Sequence, residues 1–183
     1  MKKLHTLAIL ASLGLASISS FSSAFAASRA NTMTFSAGGG YYYFAQKRSI
    51  DNTALPFIGL GYNITDRWGI EGILATMSTK SHSPEDDGSH VNGTLFLLDG
   101  LYHFPVYRDV VEPYVILGVG GLGLDPNGTD ARNEGNINAG LGLNLWADKV
   151  VGFRFEARDI YTIVGGKNDV MLDAGVTFLL DLC

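Results

Sequence analysis

Gly140-Leu141-Gly142-Leu143-Asn144-Leu145 sets a leucine at every second position, with a small or polar residue between. A period of two is that of a β-strand whose two faces meet different surroundings. Working outward, the same alternation recurs seven more times. Toward the C-terminus, Val150–Ile160 sets Val151, Phe153 and Phe155 against Arg154, Glu156 and Arg158. Val170–Leu180 then sets Leu172, Ala174, Val176, Phe178 and Leu180 against Asp173, Gly175 and Thr177. Toward the N-terminus, Tyr114–Gly123 sets Val115, Leu117 and Val119 against Gly118 and Gly120, and Asn92–Phe104 sets Phe96, Leu98, Tyr102 and Phe104 against Asp99. Trp68–Met77 sets Trp68, Ile70 and Leu74 against Gly69 and Glu71. Leu55–Asn63 sets Ile58, Leu60 and Tyr62 against Gly59, Gly61 and Asn63, and Thr32–Phe44 carries Met33, Phe35, Ala37, Tyr41 and Tyr43 on one face.

The connections between these eight strands alternate in length. Segments 45–54, 78–91 and 124–136 are long, whereas Thr65-Asp66-Arg67, Pro105–Val110 and Ala147-Asp148-Lys149 are short. Thr162–Asp169 lies between the two classes. An even strand number, with short turns at one end and longer loops at the other, predicts an all-β, eight-stranded antiparallel up-and-down transmembrane β-barrel.

Composition supports one exported domain. The chain has 183 residues, 13 basic and 18 acidic, for a formal charge of −5. An acidic chain without a basic run is a poor partner for nucleic acid. Residues 1–26 read as a signal peptide: Lys2 and Lys3, the apolar run Leu7 to Leu15, and the small-x-small site Ala24-Phe25-Ala26. Residues 27–183 then form the barrel domain. No Cys stands directly after the site, so a lipoprotein is not expected, and the lone Cys183 rules out an intrachain disulfide. The longest uncharged apolar run after the leader, Pro113 to Leu124, contains four glycines. It falls short of the ~20 residues of a spanning helix and suits a spanning strand of about 9–11.

Alternation alone leaves open which face looks outward. A soluble lipocalin-like barrel keeps its apolar face inside and a charged face in water. Here the polar face is chiefly Gly, Asn and Thr, with charges only at Glu71, Asp99, Arg154, Glu156, Arg158 and Asp173. That is thin beside a soluble surface of ~25–35% charged residues, and it fits the crowded interior of a small barrel. The apolar face then meets lipid. Tyr41, Tyr43, Trp68, Tyr102, Phe104 and Phe178 lie near strand ends, where an aromatic girdle belongs.

Five segments carry a resemblance: Gly61-Tyr62-Asn63-Ile64-Thr65-Asp66-Arg67-Trp68-Gly69-Ile70-Glu71, Leu98-Asp99-Gly100-Leu101-Tyr102-His103-Phe104, Pro113-Tyr114-Val115-Ile116-Leu117-Gly118, Gly140-Leu141-Gly142-Leu143-Asn144 and Phe153-Arg154-Phe155-Glu156-Ala157-Arg158. In this order they resemble the transmembrane domain of the OmpA and OprF group of outer-membrane proteins. The resemblance implies an interior charge network, carried here by Glu71 and Arg154. It also implies that Asp99 replaces an inward lysine and Asn144 an inward glutamate. The expected network comprises Glu71, Asp99, Asn144, Arg154, Glu156, Arg158 and Asp173. Asp173-x-Gly175-x-x-Phe178-x-Leu180 is similar to the family's signal to the barrel-assembly machinery. The chain ends three residues later, so the peptidoglycan-binding domain of larger members is not expected.

No catalytic, metal or cofactor site is expected. His82, Glu85, Asp86, Asp87 and His90 read as a solvated loop in preference to a cation site. Asp125, Asn127, Thr129 and Asp130 miss the sixth-position Gly and twelfth-position Glu of a calcium loop, and Asn127-Gly128 is a turn signal. Ser81, His82 and Ser83 lack the fixed base and orienting acid of a hydrolytic triad. The inward charges form either an ion path or a salt-bridge plug, and a plug is expected, because eight strands leave room for little more than side chains. The expected protein is a monomer surrounded by outer-membrane lipid and lipopolysaccharide. The resemblance implies roles in envelope structure, with the long loops as the place for contact with host surface or phage. The alternatives are a narrow porin, a lipid-A-modifying enzyme and a soluble binder.

Overall fold

A computed structural model describes residues 29–82, 88–108, 110–126 and 132–181. The expected signal peptide lies outside these residues, as do Ser83, Glu85, Asp86, Asp87, Asn127 to Asp130 and Cys183. The strands are β1 (Thr32–Tyr43), β2 (Thr53–Asn63), β3 (Trp68–Lys80), β4 (His90–His103), β5 (Val111–Pro126), β6 (Arg132–Trp146), β7 (Val151–Thr162) and β8 (Lys167–Asp181). Each pairs antiparallel with its chain neighbours, and β8 closes on β1. Closure leaves no unpaired sheet edge, which satisfies the backbone where no water is present to do so.

Alternation decides inside from outside. On β7, Gly152, Arg154, Glu156, Arg158 and Ile160 are buried, while Phe153 and Phe155 are exposed. On β6, Leu141 is 67% exposed, the value expected of a side chain that looks onto lipid. Trp68, Tyr102 and Phe104 stack in sequence at the end with the short turns, with ring centroids 4.8 and 5.3 Å apart. Tyr41 and Tyr43 pair at 4.9 Å near the opposite end. These are the two aromatic girdles of a spanning barrel.

Four expectations change. Segment 124–136 is not one long loop: β5 runs through Pro126 and β6 begins at Arg132. Segment 78–91 is likewise shortened, because Lys80 pairs with His90. Strands β4, β5 and β6 have 14, 16 and 15 residues, beyond the about 9–11 that span a bilayer. Past the membrane both faces of a strand meet polar surroundings, so alternation fades while the backbone ladder continues. The last outer connection is also tighter than expected, since β7 ends at Thr162 and β8 starts at Lys167.

The fourth change concerns the lumen. Toward the outer loops it is apolar: Leu55, Phe57, Ile73, Leu95, Leu97, Leu122, Ile160 and Met171 pack into one buried cluster. Polar residues dominate the half nearer the short turns and return at the outer mouth, where Thr162 and Asp169 are buried.

Candidate functional site

The charged layer begins with β7. Alternation turns Arg154, Glu156 and Arg158 into the lumen together, and all three are at least 95% buried. Their partners come from strands across the barrel. Glu71 of β3 and Asp99 of β4 are direct cross-strand neighbours. Two carboxylates so placed repel unless cations lie against them. Arg154 supplies one cation, with Nη1 donating to Glu71 Oε1 at 2.6 Å and Nη2 to Glu71 Oε2 at 2.9 Å. Its Nη1 also donates to Ser36 Oγ at 2.8 Å, and its Nη2 to Glu156. Arg158 supplies the other, with Nη1 donating to Asp99 Oδ2 at 2.5 Å and Nη2 to Glu156 Oε2 at 2.8 Å. Bidentate guanidinium–carboxylate pairing satisfies several lone pairs at once, which buried charge requires.

Neutral groups complete the layer. Asn138 Nδ2 donates to Asp99 Oδ1 at 2.9 Å, and Tyr114 Oη donates to Glu156 Oε1 at 2.6 Å. Glycine makes two of these contacts possible. A Cβ at Gly118 would land on the Asp99 carboxylate, and one at Gly142 on the Tyr114 ring.

The structure brings five of the seven expected network residues into one hydrogen-bonded group: Glu71, Asp99, Arg154, Glu156 and Arg158. Asn144 is buried and lies opposite Arg154 in register, but its side chain bonds outside this group. Its Nδ2 donates to Glu112 Oε2 at 3.2 Å near the short turns, where Trp146 Nε1 also donates to Glu112 at 2.9 Å. Asp173 is opposite Glu156 in register and buried, and neither of its carboxylate oxygens accepts a hydrogen bond among the described residues. Of the expected assembly residues, Asp173 is turned inward and Gly175 shares its face, while Phe178 and Leu180 are exposed on the lipid side.

The inward acids exceed the expected four. Glu112 and Asp169 are also buried. Extending the alternation of strand five back by two residues, and that of strand eight back from Asp173, reaches both of them. Arg48, paired with Asp169 at 2.8 Å and Glu134 at 2.6 Å, sits in an irregular segment where no period marks it. His82 pairs with Asp51 at 2.7 Å at the exposed outer end, and no group of metal-ligating side chains occurs among the described residues.

The lumen is filled at successive levels. A cavity of about 20 Å³, lined by Glu71, His103, Tyr114, Asn144, Trp146 and Arg154 among others, holds no more than about one water. Above it come the ion layer and then the apolar cluster.

The chain matches the family model described as outer membrane protein beta-barrel domain over residues 8–178. Among solved structures it is similar to the N-terminal β-barrel domain of Pseudomonas aeruginosa OprF, at 22% identity and a TM-score of 0.56, over 81% of this chain and 98% of that one. It is similar to Pseudomonas aeruginosa OprG at 11% identity and a TM-score of 0.65, over 87% of this chain and 100% of that one. It is also similar to Yersinia pestis Ail, the attachment invasion locus protein, at 15% identity and a TM-score of 0.57, over 82% and 99%. No curated protein gives a significant match. With its closed eight-stranded barrel, apolar outer face and a match over most of its length, the chain belongs to the outer-membrane β-barrel family and is a protein of the bacterial outer membrane.

Proposed function

We propose that this protein is a non-enzymatic structural barrel of the outer membrane that contacts the outside through its outer connections. The observation that carries the reading is the ion layer. Arg154 and Arg158 join β7 to β3 and β4 across the lumen, and each is held by carboxylates of Glu71, Asp99 and Glu156. Ionisable groups bonded to one another at full burial are suited to bracing a wall and not to turning over a substrate. The apolar cluster above them adds a second barrier to ions. A narrow porin is therefore the weaker reading.

Residues 1–26 are proposed to direct export, and Asp173, Gly175, Phe178 and Leu180 to address the barrel-assembly machinery. Contact with surfaces beyond the cell is assigned to the outer ends of β3 to β6 and their connections. Ail, which shares this fold, has been solved with the heparin analogue sucrose octasulfate.

Planar-bilayer recording of the purified full chain tests the structural reading. The expected trace shows no sustained conductance steps at physiological salt. A reproducible open level in the unaltered protein would make the porin reading the correct one.

A further inference from the structure

The connection from β1 to β2 does not stand away from the barrel. Its 3-10 turn, Gln46–Arg48, aims the Arg48 side chain down into the outer mouth, where only 2% of it stays exposed. Nε donates to both oxygens of Asp169 at 3.0 Å. Nη1 donates to Glu134 Oε2 at 2.6 Å, and Nη2 donates to Thr162 Oγ1 at 2.6 Å. One side chain therefore binds β6, β7 and β8 at once. The backbone joins in, because Ala45 N–H donates to Asp169 Oδ1 at 2.8 Å.

The other end of the same segment is fixed to β3. Asp51 N–H donates to the Lys80 carbonyl at 3.0 Å, and His82 N–H donates to the Ser49 carbonyl at 2.7 Å. Ser49 takes a positive φ of 51°, which turns the chain back toward β2 after Arg48. Ile50 packs against the apolar cluster of the lumen. Burial alone would lower the pKa of the Arg48 guanidinium. The carboxylates of Asp169 and Glu134 outweigh it and hold the group above its ordinary value.

We propose that residues 45–51 are a strap across the outer mouth, with Arg48 as its clasp, and that releasing Arg48 opens the lumen above the apolar cluster to the outside. The inference goes beyond the structural role proposed above and does not depend on the ion layer.

The test uses a cysteine reporter in the full chain, with Cys183→Ser as background. Val91→Cys places a thiol on an inward position that is 1% exposed, within the cluster that Ile50 covers. Its reaction with a membrane-impermeant maleimide reports opening of the strap. With Arg48 intact the reaction should be slow. In Arg48→Ala it should rise by about tenfold or more, as a local opening equilibrium shifts. Arg48→Lys and Asp169→Asn, which keep part of the contact set, should fall between, and they serve if the alanine variant does not fold. A second reporter, Leu179→Cys, lies inward near the short turns at 2% exposure and should stay slow in every variant. Equal Val91→Cys rates with and without the Arg48 changes would overturn the strap. So would a parallel rise at Leu179→Cys, which would mean that the whole barrel had loosened.

Discussion

Replacing Arg154 with alanine removes the cation that holds β7 to β3. Among the described residues, Glu71 then keeps only distant side-chain partners: Ser36 Oγ at 3.5 Å and Arg158 Nη2 at 4.0 Å. Glu71 is 98% buried, so bulk water does not reach it to replace the lost guanidinium. Breaking one partner of such a buried pair costs about 3–5 kcal/mol. At ~1.4 kcal/mol per tenfold, the folding equilibrium shifts by roughly a hundred- to a few thousandfold. Urea titration of protein folded in micelles, read by the mobility difference between folded and unfolded forms, measures that shift. Arg154→Met combined with Glu71→Met supplies the control. Removing both charges leaves apolar side chains beside Phe57, whose ring already lies 5.7 Å from the Arg154 guanidinium carbon. The double variant should be more stable than Arg154→Ala alone, because it leaves no unpaired charge at position 71. A wild-type urea midpoint in Arg154→Ala would refute the reasoning. Strict additivity of the two methionine substitutions, within about 0.5 kcal/mol, would refute the coupling.

Leu141→Arg places a charge on the most exposed leucine of β6 and should cost about 2–4 kcal/mol in lipid, read by the same titration; an unchanged midpoint would mean that the face does not meet hydrocarbon. Gly142→Ala forces a Cβ into the Tyr114 ring, whose hydroxyl is bonded to Glu156. Overpacking of this kind costs about 1–3 kcal/mol, and a neutral result would show that Tyr114 moves freely. The unaltered protein should stay folded in cold SDS and change gel mobility after boiling; identical migration before and after heating would contradict a closed barrel.

Glu112 and Asp169 show where reading by alternation stops. Each lies on the inward face of its strand and each is almost fully buried, yet both fall outside the stretches where apolar residues mark the opposite face clearly. Glu112 is followed by Pro113 near the membrane border, and Asp169 sits at the outer end of β8 beside Asn168 and Lys167. The contrast between the two faces comes from lipid on one side, and it weakens where lipid ends. The apolar lumen cluster escaped for a related reason. Leu55, Ile73, Leu95, Leu97 and Leu122 are inward apolar residues, and in a chain of alternating faces they read as breaks in the pattern until closure puts them against one another.

Strand number, strand order and the direction each side chain faces were legible in the residues themselves. They follow from a period of two, and that period is local: it needs only neighbours along the chain and a surrounding that differs from one face to the other. The leucines at 141, 143 and 145 mark one face of β6, and the sparse charge of the opposite faces turns it toward lipid. The partners of the inward charges were not legible in this way. Arg154 meets Glu71 across 83 positions of sequence, and Arg48 meets Asp169 across 121. Which inward groups share a level depends on the register of all eight strands and on closure of β8 onto β1, a sum of shifts that no single strand carries. The register of β5 against β6 sets Asn144 beside Glu112, and only the closed barrel draws an irregular outer turn into the mouth.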